Sequence, residues 1–253
     1  MIERVELKFL VERTKTLRLL QALAEKNILL QDPFTDKDTG WYTIESLYFD
    51  TPDHNCFMDS IEGYPIRNKI RIRHYRDASY HICSTDMLEL KTKNLQHVCK
   101  IRSPYPTIPN NLISCFKFNN LSVPGPWVQV VVIEYERYAF MLSLDDTLRI
   151  TLDIDVRSKV PNDFSGPHRG VVFLNPRYAI LEIKGSNQES IRTFYTFLCK
   201  YLSVQPTRFS KYCLGVLSII PSYSEEYWTS YYSYLSGDVF FDIDKENIFW
   251  TDR

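Results

Sequence analysis

The sequence predicts an α+β protein built on a closed antiparallel β-barrel, a tunnel of about eight strands with flanking helices. Three observations predict it. Strand-like segments recur along most of the chain, and most are joined by short turns. Helical patterns stand only near the start and near the end. Strand after strand divides into an apolar face and a charged face.

Met1 to Val11 reads as the first strand. Thr14 is placed to cap a helix through about Ile28, with Leu17, Leu20, Ala24 and Ile28 on its apolar side. Tyr42 to Asp50 is strand-like, and "TPDHN" breaks it. Arg67 to Arg76 is the next strand. Met87 to Lys93 and Val98 to Tyr105 form a hairpin pair around "NLQH". Pro104 to Pro126 reads as a loop-rich connector with one short helix. Trp127 to Leu142 is a long strand, Leu148 to Val156 follows the turn-like "LDDT", and Tyr178 to Gly185 is the last strand. Ser190 to Leu202 is a helix, with Ile191, Phe194, Tyr195, Leu198 and Leu202 at helical spacing. "FSKYCLGVLSII" begins another helix. Residues 1–220 are expected to form one catalytic domain, with 221–253 a helix and tail packed on it.

Composition excludes several function classes. The chain has 253 residues, 44% of them hydrophobic, enough for a full core. Thirty Lys+Arg face 31 Asp+Glu, so net charge gives no argument for a nucleic-acid partner, and none is expected. The six cysteines form no C-x-x-C pair, which argues against zinc. Without a secretory signal they read as reduced thiols in a cytoplasmic protein. No stretch approaches the ~20 apolar residues of a membrane helix. "GxGxxG" and "GxxxxGK" are both absent, so neither a Rossmann nor a P-loop enzyme is indicated.

The charged faces carry the functional argument. In "RNKIRIRHY", Arg67, Lys69, Arg71 and Arg73 share one face, and Ile70 and Ile72 share the other. Cations two apart on a strand sit ~7 Å from each other, which costs roughly 2 kcal/mol per neighbouring pair at an effective dielectric of about 20. The same division recurs elsewhere. Arg4, Glu6 and Lys8 share a face, as do Glu89, Lys91 and Lys93, and Lys100 with Arg102. So do Tyr135 and Arg137, the set Arg149, Thr151, Asp153 and Asp155, and Glu182 with Lys184. Glu134 and Glu136 fall opposite Tyr135 and Arg137 and are expected on the outer surface. His74 falls on the isoleucine face and is expected to be structural. An ordinary wet face mixes Thr, Ser and Gln with its charges, whereas these are dominated by Arg and Lys. In a closed barrel they would line a positive tunnel. Arg forks and Lys point charges suit a polyphosphate chain, and carboxylates suit Mg²⁺ or Mn²⁺.

In order along the chain, "RVELKF", "SLYFDTPD", "RNKIRIRHY", "LELKTK", "YERYAF", "RITLDIDV", "LEIKG" and "FSKY" resemble the catalytic domain of the vacuolar transporter chaperone (VTC) complex. That family lies in the triphosphate tunnel metalloenzyme, or CYTH-like, superfamily. The resemblance implies a polyphosphate polymerase that transfers the γ-phosphate of ATP to a growing polyphosphate chain, assisted by Mn²⁺ or Mg²⁺. It implies catalytic roles for Arg71, Arg73, Arg137, Arg149 and Lys91. It implies substrate binding by Arg4, Lys8, Lys69, Lys100, Arg102, Lys184 and Lys211, and metal binding by Glu182 with Glu6 and Glu89. Many hydrolases of the superfamily begin E-x-E-x-K, whereas this chain has Arg4-x-Glu6-x-Lys8. Triphosphatase activity is the enzymatic alternative, and a non-catalytic polyphosphate-binding module is the alternative of a different class. Eukaryotic relatives add a sensor domain before the tunnel and membrane helices after it. Neither is seen here, so inositol-phosphate regulation and translocation are not carried over: the expectation is a stand-alone domain that makes polyphosphate in the cytoplasm or one that relies on a separate membrane partner.

Overall fold

A computed structural model describes residues 5–77, 79–82, 86–95, 97–104, 112–118, 121–161, 170–208, 210–220, 222–223 and 227. The chain begins with β1 (Val5–Glu12), α1 (Arg13–Glu25), β2 (Leu29–Gln31) and β3 (Tyr42–Asp50). Then come α2 (Asn55–Ile61), β4 (Ile66–Arg76) and the hairpin β5 (Met87–Asn94) and β6 (His97–Pro104). A second hairpin, β7 (Leu112–Phe118) with β8 (Leu121–Leu142), leads to β9 (Asp145–Lys159), β10 (Val171–Val172) and β11 (Tyr178–Gly185). The helices α3 (Gln188–Leu202) and α4 (Lys211–Ile219) follow. Among the described residues no helix is long and apolar enough to cross a membrane.

The main path of the sheet is β1-β11-β9-β8-β3-β4-β5-β6, antiparallel at every step. Eight strands on this path match the expected number. The expected closure does not occur: among the described residues β1 and β6 stand at the two ends and do not pair. The reason lies at the free edge of β1. The linker between α3 and α4 runs beside it, and the Thr207 N–H donates to the Lys8 carbonyl at 2.8 Å. That carbonyl is therefore not available to another strand. The sheet nevertheless curls. Lys91 of β5 meets Glu6 of β1 at 3.3 Å, although their strands lie far apart along the path. Only curling toward the charged face brings them together. The result is an open-seamed channel rather than a closed barrel.

Alternation explains which face turned out. Phe9, Leu181, Ile183, Ile150 and Leu152 are buried beneath α1 and α3, with Leu20, Ile191, Phe194 and Leu198 packed on them. Leu47, Phe49, Ile70, Ile72, Leu88 and Leu90 lie under the β7–β8 hairpin, which supplies Phe116, Phe118 and Trp127. That hairpin stands where the sequence predicts a connector with a helix. "FKFNNLSV" holds its signals in sequence, an Asn-Asn pair preceded by aromatic residues on alternate positions. Two helix boundaries also differ. Glu12, not Thr14, caps α1 by accepting from the Thr14 and Lys15 amides. The "TPDHN" break opens directly into α2.

α4 enters the channel from one end. Asp50, fully buried, fixes it there. Its carboxylate accepts from the amides of Thr51 (2.7 Å), Cys56 (2.8 Å) and Phe57 (2.9 Å), which begins α2. It also accepts from the Tyr212 hydroxyl of α4 at 2.5 Å. Tyr212 stacks on Tyr48 with ring centroids 5.0 Å apart. Gly215 lets the helix lie close, since a Cβ there would stand 2.1 Å from Ile133 Cδ1. Asp50→Ala strips the acceptor from several buried donors at ~1–3 kcal/mol each, so a loss of about 3 kcal/mol or more is expected. Urea denaturation checks this. Asp50→Asn, which keeps one acceptor, should lose distinctly less.

Candidate functional site

β4 is flanked by β3 and β5, and register sets the partners of its cations. Arg71 stands between Tyr48 and Glu89, Arg73 opposite Ser46, and Lys69 opposite Lys91. β5 pairs on with β6, so Glu89 faces Arg102 and Lys91 faces Lys100. On the other side β3 pairs β8, β8 pairs β9, and Tyr42, Arg137 and Asp153 lie in one row. β11 and β1 complete the wall, with Glu182 between Thr151 and Lys8 and Lys184 between Arg149 and Glu6.

The side chains do what this register allows. Arg71 donates from Nε (2.7 Å) and Nη2 (2.6 Å) to one oxygen of Glu89, and from Nη1 to the Tyr48 hydroxyl at 2.8 Å. Arg73 donates to Ser46 Oγ and to the Tyr135 hydroxyl, both at 3.2 Å. Arg137 forks onto Asp153 at 2.6 and 2.7 Å. Lys211, at the start of α4, reaches Asp153 at 2.7 Å and Glu182 at 3.1 Å. Arg137 and Lys211 also lie over the Tyr135 ring, at 5.2 and 4.9 Å from its centroid. Arg149 stands nearer the channel end, held by Asp32 at 2.7 Å and by the Tyr42 hydroxyl at 3.0 Å. Lys69 donates to Ser210, the N-cap of α4, at 2.6 Å.

The carboxylates are each surrounded by cations. Glu89 is held by Arg71, Lys100 and Arg102. Glu6 and Glu182 share Lys8 and Lys184. Burial alone would raise the Glu6 pKa, but Lys184, Lys8 and Lys91 bring it down to about 2. Glu89 and Glu182 are lowered against burial in the same way, by Arg71, Arg73 and Lys100 and by Lys184, Lys211 and Lys8. Burial dominates for the lysines of the hairpin. It brings Lys91 down to about 8, with Glu6 opposing, and Lys100 down to about 6, where Arg71 adds and Glu89 opposes. These ammonium groups are short of negative charge, which an anionic ligand would supply.

Nearly all the sequence-predicted site residues therefore line one channel: Lys8, Lys69, Arg71, Arg73, Lys91, Lys100, Arg102, Arg137, Arg149, Lys184 and Lys211, with Glu6, Glu89 and Glu182. Arg4 lies outside the described residues. Asp155 leaves the face that the sequence gives it. It is the bulged residue of β9, with φ 50°, and its carboxylate turns to Arg13 at 3.1 Å. Glu134 lies opposite the channel as expected, yet it is buried rather than on the surface. It pairs with Lys159 beside Glu45 and Tyr80, which close over that part of the outer face. His74 is buried on the isoleucine face with Nδ1 2.6 Å from Asp86.

The channel also holds Tyr42, Ser46, Tyr48, Asp32 and Ser210, which the alternation of charges does not single out. Three of these share the alternation of the arginines, since residues 42, 46 and 48 fall on one face of β3. That strand contains no Arg or Lys to draw the eye. Asp32 and Ser210 come from loops, whose approach to the channel no periodicity reports.

A family model described as the VTC domain matches residues 3–113 and 126–220. A candidate adenylate cyclase from Bacillus halodurans has a similar structure at a TM-score of 0.51 and 14% identity, over 82% of this chain and 93% of that one. A second candidate adenylate cyclase, from Vibrio parahaemolyticus, gives 0.46 at 11% identity, over 83% of this chain and 96% of that one. The Mimivirus capping enzyme triphosphatase gives 0.35 at 11%, over 78% of this chain and 87% of that one. At such identities the first likeness speaks to the fold alone, and the two weaker ones add no argument. No curated protein sequence matches. The family model spans the strands that build the channel and reaches through α4, and on that ground the chain belongs to the VTC domain family.

Proposed function

We propose that this chain is a polyphosphate polymerase that moves the γ-phosphoryl group of ATP onto the end of a polyphosphate chain. The observation that carries this is the convergence of Arg73, Arg137 and Lys211 on one stretch of channel wall around Tyr135 and Glu182, with Arg71 beside Arg73 on the same face of β4. Membership of the VTC domain family supports a phosphoryl-handling role. Such cations hold phosphoryl oxygens through charge-assisted hydrogen bonds. Phosphoryl transfer needs little else from a protein: positioning, and neutralisation of charge that spreads over the equatorial oxygens. The bond between the γ-phosphorus and the β-bridging oxygen breaks, ADP leaves, and a terminal oxygen of the chain forms the new P–O bond. No protein nucleophile is required.

Arg71, Arg73 and Arg137 are suited to hold the transferred group. Their guanidinium groups are already oriented by Tyr48, Ser46, Tyr135 and Asp153, so little ordering remains when a ligand arrives. Arg149, Lys8, Lys69, Lys91, Lys100, Arg102 and Lys184 would carry the rest of the donor and the chain. A divalent cation fits only in part. Among the described residues no group of three His, Cys, Asp or Glu side chains gathers to hold one. Glu6 and Glu182, which share two lysines, would offer carboxylate oxygens, with phosphate oxygens and water completing the shell, as is usual for Mg²⁺. When bound, Mn²⁺ or Mg²⁺ would supply Lewis-acid stabilisation of the phosphoryl oxygens. Glu89 fits less well as a ligand, because two guanidinium groups and a lysine hold it at 2.6 to 2.9 Å.

Arg73→Ala is expected to leave the circular dichroism spectrum unchanged and to lower ATP-dependent polyphosphate synthesis at least ~100-fold. Gel electrophoresis of the products checks this, and unchanged synthesis would contradict the assignment. Release of orthophosphate alone by the wild-type protein would instead indicate a triphosphatase.

A pH effect follows from Lys100. Burial brings its pKa down to about 6, with Arg71 adding and Glu89 opposing. A polyanion beside it raises that value, so binding takes up a proton, and affinity falls as pH rises from 6 toward 8. Titration calorimetry with tripolyphosphate in two buffers of different ionisation enthalpy should give about one proton more for the wild type than for Lys100→Met. Equal uptake by the two proteins would count against the role of Lys100.

A further inference from the structure

Glu89 stands apart from the other acids of the channel. Its carboxylate is 2% exposed and sits in the middle of a cation triad drawn from two neighbouring strands. Arg71 gives two donors to Oε2, at 2.7 and 2.6 Å. Lys100 (2.6 Å) and Arg102 (2.9 Å) both address Oε1. Two guanidinium groups and an ammonium converging on one anion is the donor set that recognises a phosphoryl group. Here the anion is part of the protein, with a charge of −1 where a phosphate brings nearly −2.

The triad is not locked. Lys100 and Arg102 lie on β6, which is the open end of the sheet path, and their side chains are 30% and 54% exposed. They can turn from Glu89 to an incoming anion without breaking the sheet. Asp153 is different. It is wholly buried, and Arg137 and Lys211 hold it from inside the channel.

We propose that Glu89 is a built-in stand-in for a phosphoryl group, which occupies this triad in the empty channel and yields it only to linked phosphates. The proposal rests on the reading of the channel as a polyphosphate site. The selectivity follows from effective concentration. A lone orthophosphate must displace a carboxylate that is tethered beside the triad. A phosphate chain already held by Arg73, Arg137 and Lys211 presents its next phosphoryl group as an intramolecular competitor, on equal terms with Glu89. Glu89 therefore keeps abundant single phosphates from filling the channel, and it neutralises cations that would otherwise repel one another.

The test is titration calorimetry of orthophosphate and of tripolyphosphate, without metal, on the wild type and on Glu89→Gln. The wild type should bind tripolyphosphate at least ~100-fold more tightly than orthophosphate. Glu89→Gln should bind orthophosphate about tenfold more tightly than the wild type does, and the ratio between the two anions should narrow. An unchanged ratio, or equal weakening for both anions, overturns the proposal and leaves the channel reading standing. A wild type that binds neither anion overturns the channel reading and the proposal with it. Should Glu89→Gln melt early in phosphate-free buffer, thermal melts with tripolyphosphate decide. Recovery of the midpoint supports the stand-in role, and no recovery overturns it.

Discussion

Like charges crowded on one face of a sheet are the constraint on which the rest of this structure depends. Cations two residues apart repel by roughly 2 kcal/mol at an effective dielectric of about 20, and curling the sheet brings further cations across the channel. The protein meets this with buried acceptors placed between the cations. Glu89 separates Arg71 from Lys100 and Arg102. Asp153 separates Arg137 from Lys211, and Glu182 with Glu6 separates Lys8 from Lys184. Tyr48, Tyr135 and Tyr42 take the remaining donors of Arg71, Arg73 and Arg149. Each arginine is thereby aimed as well as neutralised, since a fork held on one side presents a fixed direction on the other.

The open seam and the helix in the channel belong to the same solution. A closed barrel would fix the spacing between β1 and β6. Here the α3–α4 linker takes a hydrogen bond at the edge of β1, and the next residues carry Ser210 and Lys211 into the channel. One segment therefore ends the sheet on one side and supplies a cation to its centre. Asp50 makes that placement rigid by tying the start of α2 to Tyr212.

Much of this was legible in the sequence. Period-two alternation is a physical demand on any half-buried strand, so Arg71 and Arg73 against Ile70 and Ile72 announced the inward face directly. Closure was not legible, because it depends on what lies beside an edge, and the Thr207 amide gives no periodic signal. Asp155 misled because a bulge shifts parity without a marker residue. The parity of Glu134 puts it on the outer face, but its burial is not legible, since its partner Lys159 lies far along the chain and Tyr80 comes from a loop. The tyrosines of the channel were hidden by their own ordinariness: an aromatic residue in a strand reads first as packing, and only its neighbours show that its hydroxyl orders an arginine.

The central claim is that the charged face of the curled sheet is a phosphate-binding wall. A crystal structure with a non-hydrolysable ATP analogue and Mn²⁺ tests it most directly. The account predicts phosphoryl oxygens within hydrogen-bonding distance, about 3 Å, of the guanidinium groups of Arg71 and Arg73. Phosphates bound on the outer face of the sheet, with the channel empty, would contradict it.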